Sequence, residues 1–253
     1  MRSVIIIPAR YSSTRLPGKP LLRVTGKYLI EHVYEQACKS RRADDVIVAT
    51  DDPRIAAAVE GFGGHAVMTR RSHPSGSDRV AEVARSLDAD IVVNLQGDEP
   101  LVEPEALDQL IEFLETDADA EMATLAVPIR SAEVYRDPNC VKVVCDRGGR
   151  ALYFSRSPIP AVRDGAPDFN KRPTSFLHHL GIYAYRRDAL LRLAALPPDP
   201  LEKCEQLEQL RALALGWRIQ VGVIEHAGRG VDTLDDYNGF VQLYRSQPRR
   251  LAA

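Results

Sequence analysis

Short apolar runs and amphipathic stretches alternate along about the first hundred residues of the chain. Ser3 to Ile7 is an apolar run that stops at Pro8, the pattern of a buried parallel strand leading into a loop. Leu29, Ile30, Val33, Tyr34, Ala37 and Cys38 then recur at helical spacing. Val46 to Ala49 is a second strand, ending at Thr50-Asp51-Asp52, and a helix is predicted after Pro53. Gly64 to Met68 reads as a third strand. Val80, Val83, Ala84 and Leu87 mark another helix, and Ile91 to Val93 is a fourth strand that ends at Asn94. This rhythm predicts an α/β fold: an open, mostly parallel twisted sheet with helices on both faces. In such a sheet, ligands lie beyond the carboxyl ends of the strands.

The second half changes character and predicts a smaller second lobe. Val141 to Cys145, Ala151 to Phe154 and Leu180 to Tyr185 read as strands separated by turns. Leu201 to Leu215 reads as one helix, Ile219 to Ile224 as a strand, and roughly Asp235 to Ser246 as a last helix. Asp164 to Thr174, polar and broken by Pro and Gly, is the predicted mobile loop. The whole of 1–253 reads as a single domain with two halves, roughly 1–130 and roughly 131–253.

Composition removes several alternatives. With 253 residues, 45% of them hydrophobic, the chain can bury a substantial core. A net charge of -2 gives no general drive toward nucleic acid or anionic membrane, so neither is an expected partner. No apolar run approaches a membrane span and the first strand starts at once, which points to a cytoplasmic protein. Cys38, Cys140, Cys145 and Cys204 form no CxxC pair, so they read as reduced thiols rather than a zinc site or a disulfide framework.

The candidate chemistry sits after the predicted strands. Pro8-Ala9-Arg10-Tyr11-Ser12-Ser13-Thr14-Arg15-Leu16-Pro17-Gly18-Lys19-Pro20 carries three cations and three hydroxyls, which suits a polyphosphate. A solvated basic loop is the plainer reading, and the functional one is only modestly ahead. The segment is not a Walker loop, because Pro20 stands where a Mg²⁺-binding Ser or Thr belongs, and no GxGxxG follows the strand.

After the fourth strand, Asn94-Leu95-Gln96-Gly97-Asp98-Glu99-Pro100 places hard carboxylate oxygens where Mg²⁺ could bind, while also resembling an acidic turn that caps the next helix. Here Asp98 is the candidate ligand and Glu99 the more structural residue. Asp232, in Gly230-Val231-Asp232-Thr233-Leu234-Asp235-Asp236, is a second acidic candidate, although Thr233 or Asp235 could simply cap the last helix. In His73-Pro74-Ser75-Gly76-Ser77-Asp78-Arg79, plain helix capping competes evenly with presentation of N–H groups to a ligand. Arg156 offers a planar fork suited to a carboxylate. His179 and Tyr183 alternate along one strand and so share a face, whereas adjacent His178 and His179 are poorly placed to chelate one ion.

IPARYSSTRLPGKPL at residues 7–21 resembles the opening signature of the 3-deoxy-manno-octulosonate (Kdo) cytidylyltransferases, whose wider group includes the sialic acid enzymes. NLQGDEP and PLEKCEQLEQLRAL are similar to further motifs of that family, and the likeness runs from Ile7 to about Tyr244. The chain departs from the pattern at Tyr28, Ser77, Leu95, His178 and Ala227.

The resemblance implies a nucleotide-diphospho-sugar transferase-like, Rossmann-like fold and attack of the anomeric hydroxyl of Kdo on the α-phosphorus of CTP. CMP-Kdo, for lipopolysaccharide synthesis, and pyrophosphate would result. It implies CTP contacts from Ala9, Arg10, Ser12, Ser13, Arg15, Lys19, Ser75, Gly76 and Arg79, all within a CTP-binding half at 1–130. Sugar contacts follow from Gln96, Arg156, His179, Tyr183, Glu208 and Gln209. Mg²⁺ would be the cofactor, held by Asp98 and Asp232, with Arg10 and Lys19 also catalytic. A homodimer built from 131–253 is implied as well. With no His evidently placed as a base, positioning and electrostatics are the expected source of rate.

Overall fold

The computed structural model describes residues 1–12, 16–170 and 175–246. Within these, the predicted alternation is present as β1 (Ser3–Ala9), α1 (Leu29–Ala37), β2 (Asp45–Thr50), α2 (Pro53–Gly61), β3 (His65–Met68), α3 (Gly76–Arg85) and β4 (Ile91–Asn94). The chain continues through α4 (Pro104–Thr116), β5 (Ala120–Pro128), α5 (Ala132–Arg136), β6 (Lys142–Cys145), β7 (Ala151–Ser155) and β8 (Leu177–Arg186). It closes with α6 (Arg187–Ala195), α7 (Pro200–Glu205), α8 (Gln209–Ala214), β9 (Arg218–Val223) and α9 (Leu234–Ser246).

The central sheet runs β3-β2-β1-β4-β8-β5-β9, with the β6–β7 hairpin attached to β8. β1 is parallel to both β2 and β4, while β8 runs antiparallel between β4 and β5. Every residue of β1 is buried, because both faces of the sheet are covered: Val4 and Ile6 enter one core, Ile5 and Ile7 the other. Alternation therefore disappears from the strand's sequence although it persists in its packing.

One prediction is corrected. Leu201 to Leu215 is not one helix: α7 ends where Gln206 takes a left-handed conformation (φ 53°), and α8 starts at Gln209. The break turns Glu208 and Gln209 toward the carboxyl ends of the strands, a placement that an uninterrupted apolar stripe does not foretell. The strand β5 and the helices α5 and α6 also went unpredicted. The loop prediction at Asp164 to Thr174 is met by irregular backbone over 164–170, and its last four residues lie outside the described ones. Among the described residues, no helix is long and apolar enough to cross a membrane.

The last helix returns to the first half. Phe240 and Tyr244 of α9 set their rings edge-on against the His32 ring of α1, at centroid distances of 5.0 and 4.7 Å. Burial lowers the His32 pKa to about 4, so the imidazole stays neutral there. This packing carries the N-terminus of α9, and Asp232 just before it, back to the mouth of β1 and β4.

Candidate active site

β1 and β4 are adjacent and parallel, so the loops that follow them emerge side by side. Their approach is close: a Cβ on Gly97 would lie 2.9 Å from the Pro8 carbonyl oxygen, so only glycine fits. The third strand of chain comes from near the C-terminus. Val231 N–H donates to the Asp98 carbonyl at 2.8 Å, and a Cβ on Gly228 would sit 2.4 Å from the Leu101 oxygen. Gly228 thus sets the path of this loop, and no sequence feature marks it except that it is a glycine in a polar stretch.

These three segments meet at Lys19. Its Nζ lies 2.6 Å from Asp98 Oδ2 and 3.4 Å from Asp232 Oδ1, and it donates to the Val231 carbonyl at 2.8 Å. The Lys19 side chain is only 14% exposed, so these charges interact in a partly desolvated setting. Glu99 is drawn into the same cluster. Burial, and then the charges of Asp98 and Asp232, raise its pKa to about 8, while Lys19 opposes the rise.

Among the described residues, no three His, Cys, Asp or Glu side chains are arranged to hold a metal ion. A divalent cation here would rest on Asp98 and Asp232, flanking the point where the Lys19 ammonium now lies. Two carboxylates with water and phosphate completing the shell are what Mg²⁺ accepts, so the donor set fits.

On the nucleotide side, Ala9 ends β1 and is buried. Arg10 Nη2 donates to the carbonyls of His73 (2.9 Å) and Ser75 (2.6 Å), joining the loop after β1 to the turn before α3. Ser75 and Asp78 form a reciprocal capping box on α3, so the capping reading of that turn holds. Gly76 packs on the Pro8 ring. Ser12 is exposed, and Ser13 and Arg15 lie outside the described residues. Arg79 is fully buried, bonded to Thr69 Oγ1 and paired with Asp51 at 3.3 Å behind the turn, with its Nε left without a hydrogen-bond partner among the described residues. At the other acidic loop, Thr233 and Asp236 make the reciprocal cap, with Thr233 N–H donating to Asp236 Oδ2 at 3.0 Å and Asp236 N–H to Thr233 Oγ1 at 3.1 Å. Asp235 takes no part in that cap.

The residues expected to meet the sugar lie on the wall of a cavity of 940 Å³ that reaches from Asp98 and Asp232 past His179 and Tyr183 to Gln209. Tyr183 O–H donates to Gln209 Oε1 at 3.2 Å, and the buried Gln209 Nε2 has no hydrogen-bond partner among the described residues, an amide donor left for a ligand. His179 Nε2 meets Thr124 Oγ1 at 3.0 Å. Burial, then the neighbouring His178, lowers the His179 pKa to about 3, and burial raises that of Tyr183 far above the usual phenol range. Both stay neutral. Gln96 donates to Asn94 Oδ1 at 3.2 Å, and Glu208 Oε2 accepts from Ser77 Oγ.

Arg156 departs from expectation. Its guanidinium donates to the carbonyls of Pro138, Glu205 and Gln206, tying β7 to the end of α7. Buried Lys142 completes that knot by donating to Asp137, Cys140 and Arg156 carbonyls. Thr124 and Asn94 were missed. Asn94 is signalled by its polarity at the end of an apolar strand, whereas Thr124 has no signal inside β5.

Comparison with known proteins agrees with this geometry. Residues 4–219 match the family model described as Cytidylyltransferase. A 3-deoxy-manno-octulosonate cytidylyltransferase of Syntrophobacter fumaroxidans is 55% identical over 95% of this chain and 96% of its own length. One of Geobacter metallireducens is 50% identical over 96% and 97%. The solved structure of a CMP:2-keto-3-deoxy-manno-octonic acid synthetase complexed with CTP superposes with a TM-score of 0.91 at 45% identity, covering 98% of this chain and all of that one. A cytidylyltransferase of Leptospira borgpetersenii shares the fold alone, at a TM-score of 0.64 and 18% identity.

Proposed function

The chain belongs to the cytidylyltransferases and, within them, to the 3-deoxy-manno-octulosonate cytidylyltransferases, and from that premise we propose that it converts CTP and Kdo to CMP-Kdo and pyrophosphate with Mg²⁺ as cofactor. The anomeric oxygen of Kdo forms a bond to the α-phosphorus, the bond from that phosphorus to the pyrophosphate oxygen breaks, and the hydroxyl proton leaves to solvent. The observation that carries the reading is the meeting of Asp98 and Asp232 at Lys19. The two carboxylates lie 134 positions apart in the sequence and come together at one ammonium beside the cavity that both line.

Bound Mg²⁺ supplies Lewis-acid stabilisation of phosphate charge. Asp98 and Asp232 would hold it, and the Lys19 ammonium beside them would offset charge that develops on the triphosphate. Arg10 keeps the loop after β1 and the turn before α3 in one piece around the nucleotide, with Ser12, Ser75 and Gly76 alongside. Gln209, Glu208, Tyr183, His179 and Gln96 receive the sugar acid by hydrogen bonds from neutral or carboxylate groups, fixing its hydroxyl in line with the phosphorus. The same reading includes a homodimer joined through 131–253 and a cytoplasmic location. Sedimentation tests the dimer.

The test of substrate is pyrophosphate release from CTP with Kdo, 8-amino Kdo and sialic acid measured side by side. Kdo should give the highest kcat/KM, and preference for either other acid would replace it as substrate.

A further inference from the structure

The carboxylate of Glu208 is held from across the cleft. Its Oε2 accepts a hydrogen bond of 2.5 Å from Ser77 Oγ, a residue 131 positions away in the chain. Ser77 is the second residue of α3, next to Gly76, and so belongs to the element that receives the nucleotide. Its hydroxyl is not needed for capping, which Ser75 performs. It also accepts from Asn94 Nδ2 at 3.4 Å, and Asn94 Oδ1 in turn accepts from Gln96 Nε2 at 3.2 Å. Asn94 is 1% exposed with both ends of its amide engaged, so its orientation is fixed. The result is a continuous polar chain, Gln96–Asn94–Ser77–Glu208. Three of its four members line a cavity of 250 Å³, together with Gly76, Tyr183 and Gln209. One end of that cavity is nucleotide wall and the other is sugar wall.

We propose that Ser77 is a positioning residue that aims the Glu208 carboxylate at the sugar acid. A hydroxyl donating to a carboxylate is a charge-assisted bond, stronger than one between neutral groups. Without it, Glu208 retains its charge but loses the contact that fixes its rotamer, and water competes for its oxygens. The inference rests on the functional reading above for the identity of the ligands, but not for the existence of the latch.

The experiment compares Ser77→Ala and Ser77→Thr with the wild type. In Ser77→Ala the KM for Kdo should rise about tenfold, the effect of one lost charge-assisted bond, while kcat and the KM for CTP stay near wild type. Ser77→Thr, which keeps the hydroxyl, should restore the Kdo KM to within about twofold of wild type. An unchanged Kdo KM in Ser77→Ala, or an equal rise in both KM values, overturns the proposal. A double-mutant cycle of Ser77→Ala and Glu208→Ala in urea unfolding reads the latch without any substrate. Non-additive effects are expected, and strict additivity refutes the latch. Failure of the wild type to use Kdo sinks the substrate assignment alone, since the cycle still decides for or against the latch.

Discussion

The two ends of the cleft are built by opposite means. At the end proposed for the triphosphate, Lys19, Asp98 and Asp232 come from three loops and are held together chiefly by their own charges. At the sugar end, His179 and Tyr183 sit on β8 inside the sheet, are neutral, and are fixed by burial and hydrogen bonds to Thr124 and Gln209. Charges on loops can rearrange when a charged ligand and its cation arrive. A buried neutral network cannot do so cheaply, and it selects by shape and hydrogen-bond match instead. Rate should therefore be concentrated at one end and substrate choice at the other.

The largest effect that would break this division is at Asp98. Asp98→Asn should lower turnover by about a hundredfold to a thousandfold, the scale of losing a main electrostatic stabiliser, with the unfolding midpoint little changed. Next is Gly228→Ala, whose new Cβ would meet the Leu101 carbonyl at 2.4 Å. It should destabilise the fold by about 1–3 kcal/mol and raise the Mg²⁺ concentration needed for half activity, because Asp232 is carried by the same loop. At the sugar end, Gln209→Leu removes the amide and should raise the Kdo KM about tenfold while leaving the CTP KM alone. Equal changes in both KM values would mean that the two ends are not functionally separate.

An effect on stability alone concerns acid. His179 has its pKa lowered to about 3 in the folded protein from 6.5, so the unfolded chain binds the extra proton. Its contribution to stability is complete above about pH 6.5 and is lost as pH falls toward 3, with a slope of up to about 1.4 kcal/mol per pH unit. His32, lowered to about 4, adds a similar share. His179→Asn should flatten the stability–pH curve between pH 4 and 6 by about one proton's worth, read by urea unfolding at several pH values.

The same contrast explains which features are legible in the amino-acid sequence. Cations and carboxylates beyond strand ends are conspicuous, because an apolar run gives way abruptly to charge, as at Asn94 to Glu99 and at Pro8 to Lys19. The parallel core is equally legible from the apolar runs of β1, β2 and β4. The sugar end is not. His179, Tyr183 and Gln209 look like ordinary core residues of a strand and a helix, and only resemblance to a family singles them out. Periodicity cannot show that β8 inserts antiparallel beside β4, since strand direction leaves no trace in an apolar pattern. The interruption at Gln206 is hidden because good helix formers run from Leu201 to Leu215 across it with no Gly or Pro between them. The surroundings of Arg79 and Arg156 are not legible for a physical reason: a sequence shows that a guanidinium exists, not whether backbone carbonyls or a buried hydroxyl already contact it.

The account depends most on Asp98 and Asp232 sharing one divalent cation. The direct measurement is pyrophosphate release from CTP and Kdo as a function of Mg²⁺ concentration for the wild type, Asp98→Asn and Asp232→Asn under identical conditions. Both variants should show a lower maximal rate and a half-activating Mg²⁺ concentration shifted upward, and chelation should abolish wild-type turnover reversibly. A variant at either position that matches the wild-type rate at the same Mg²⁺ concentration would contradict the shared site.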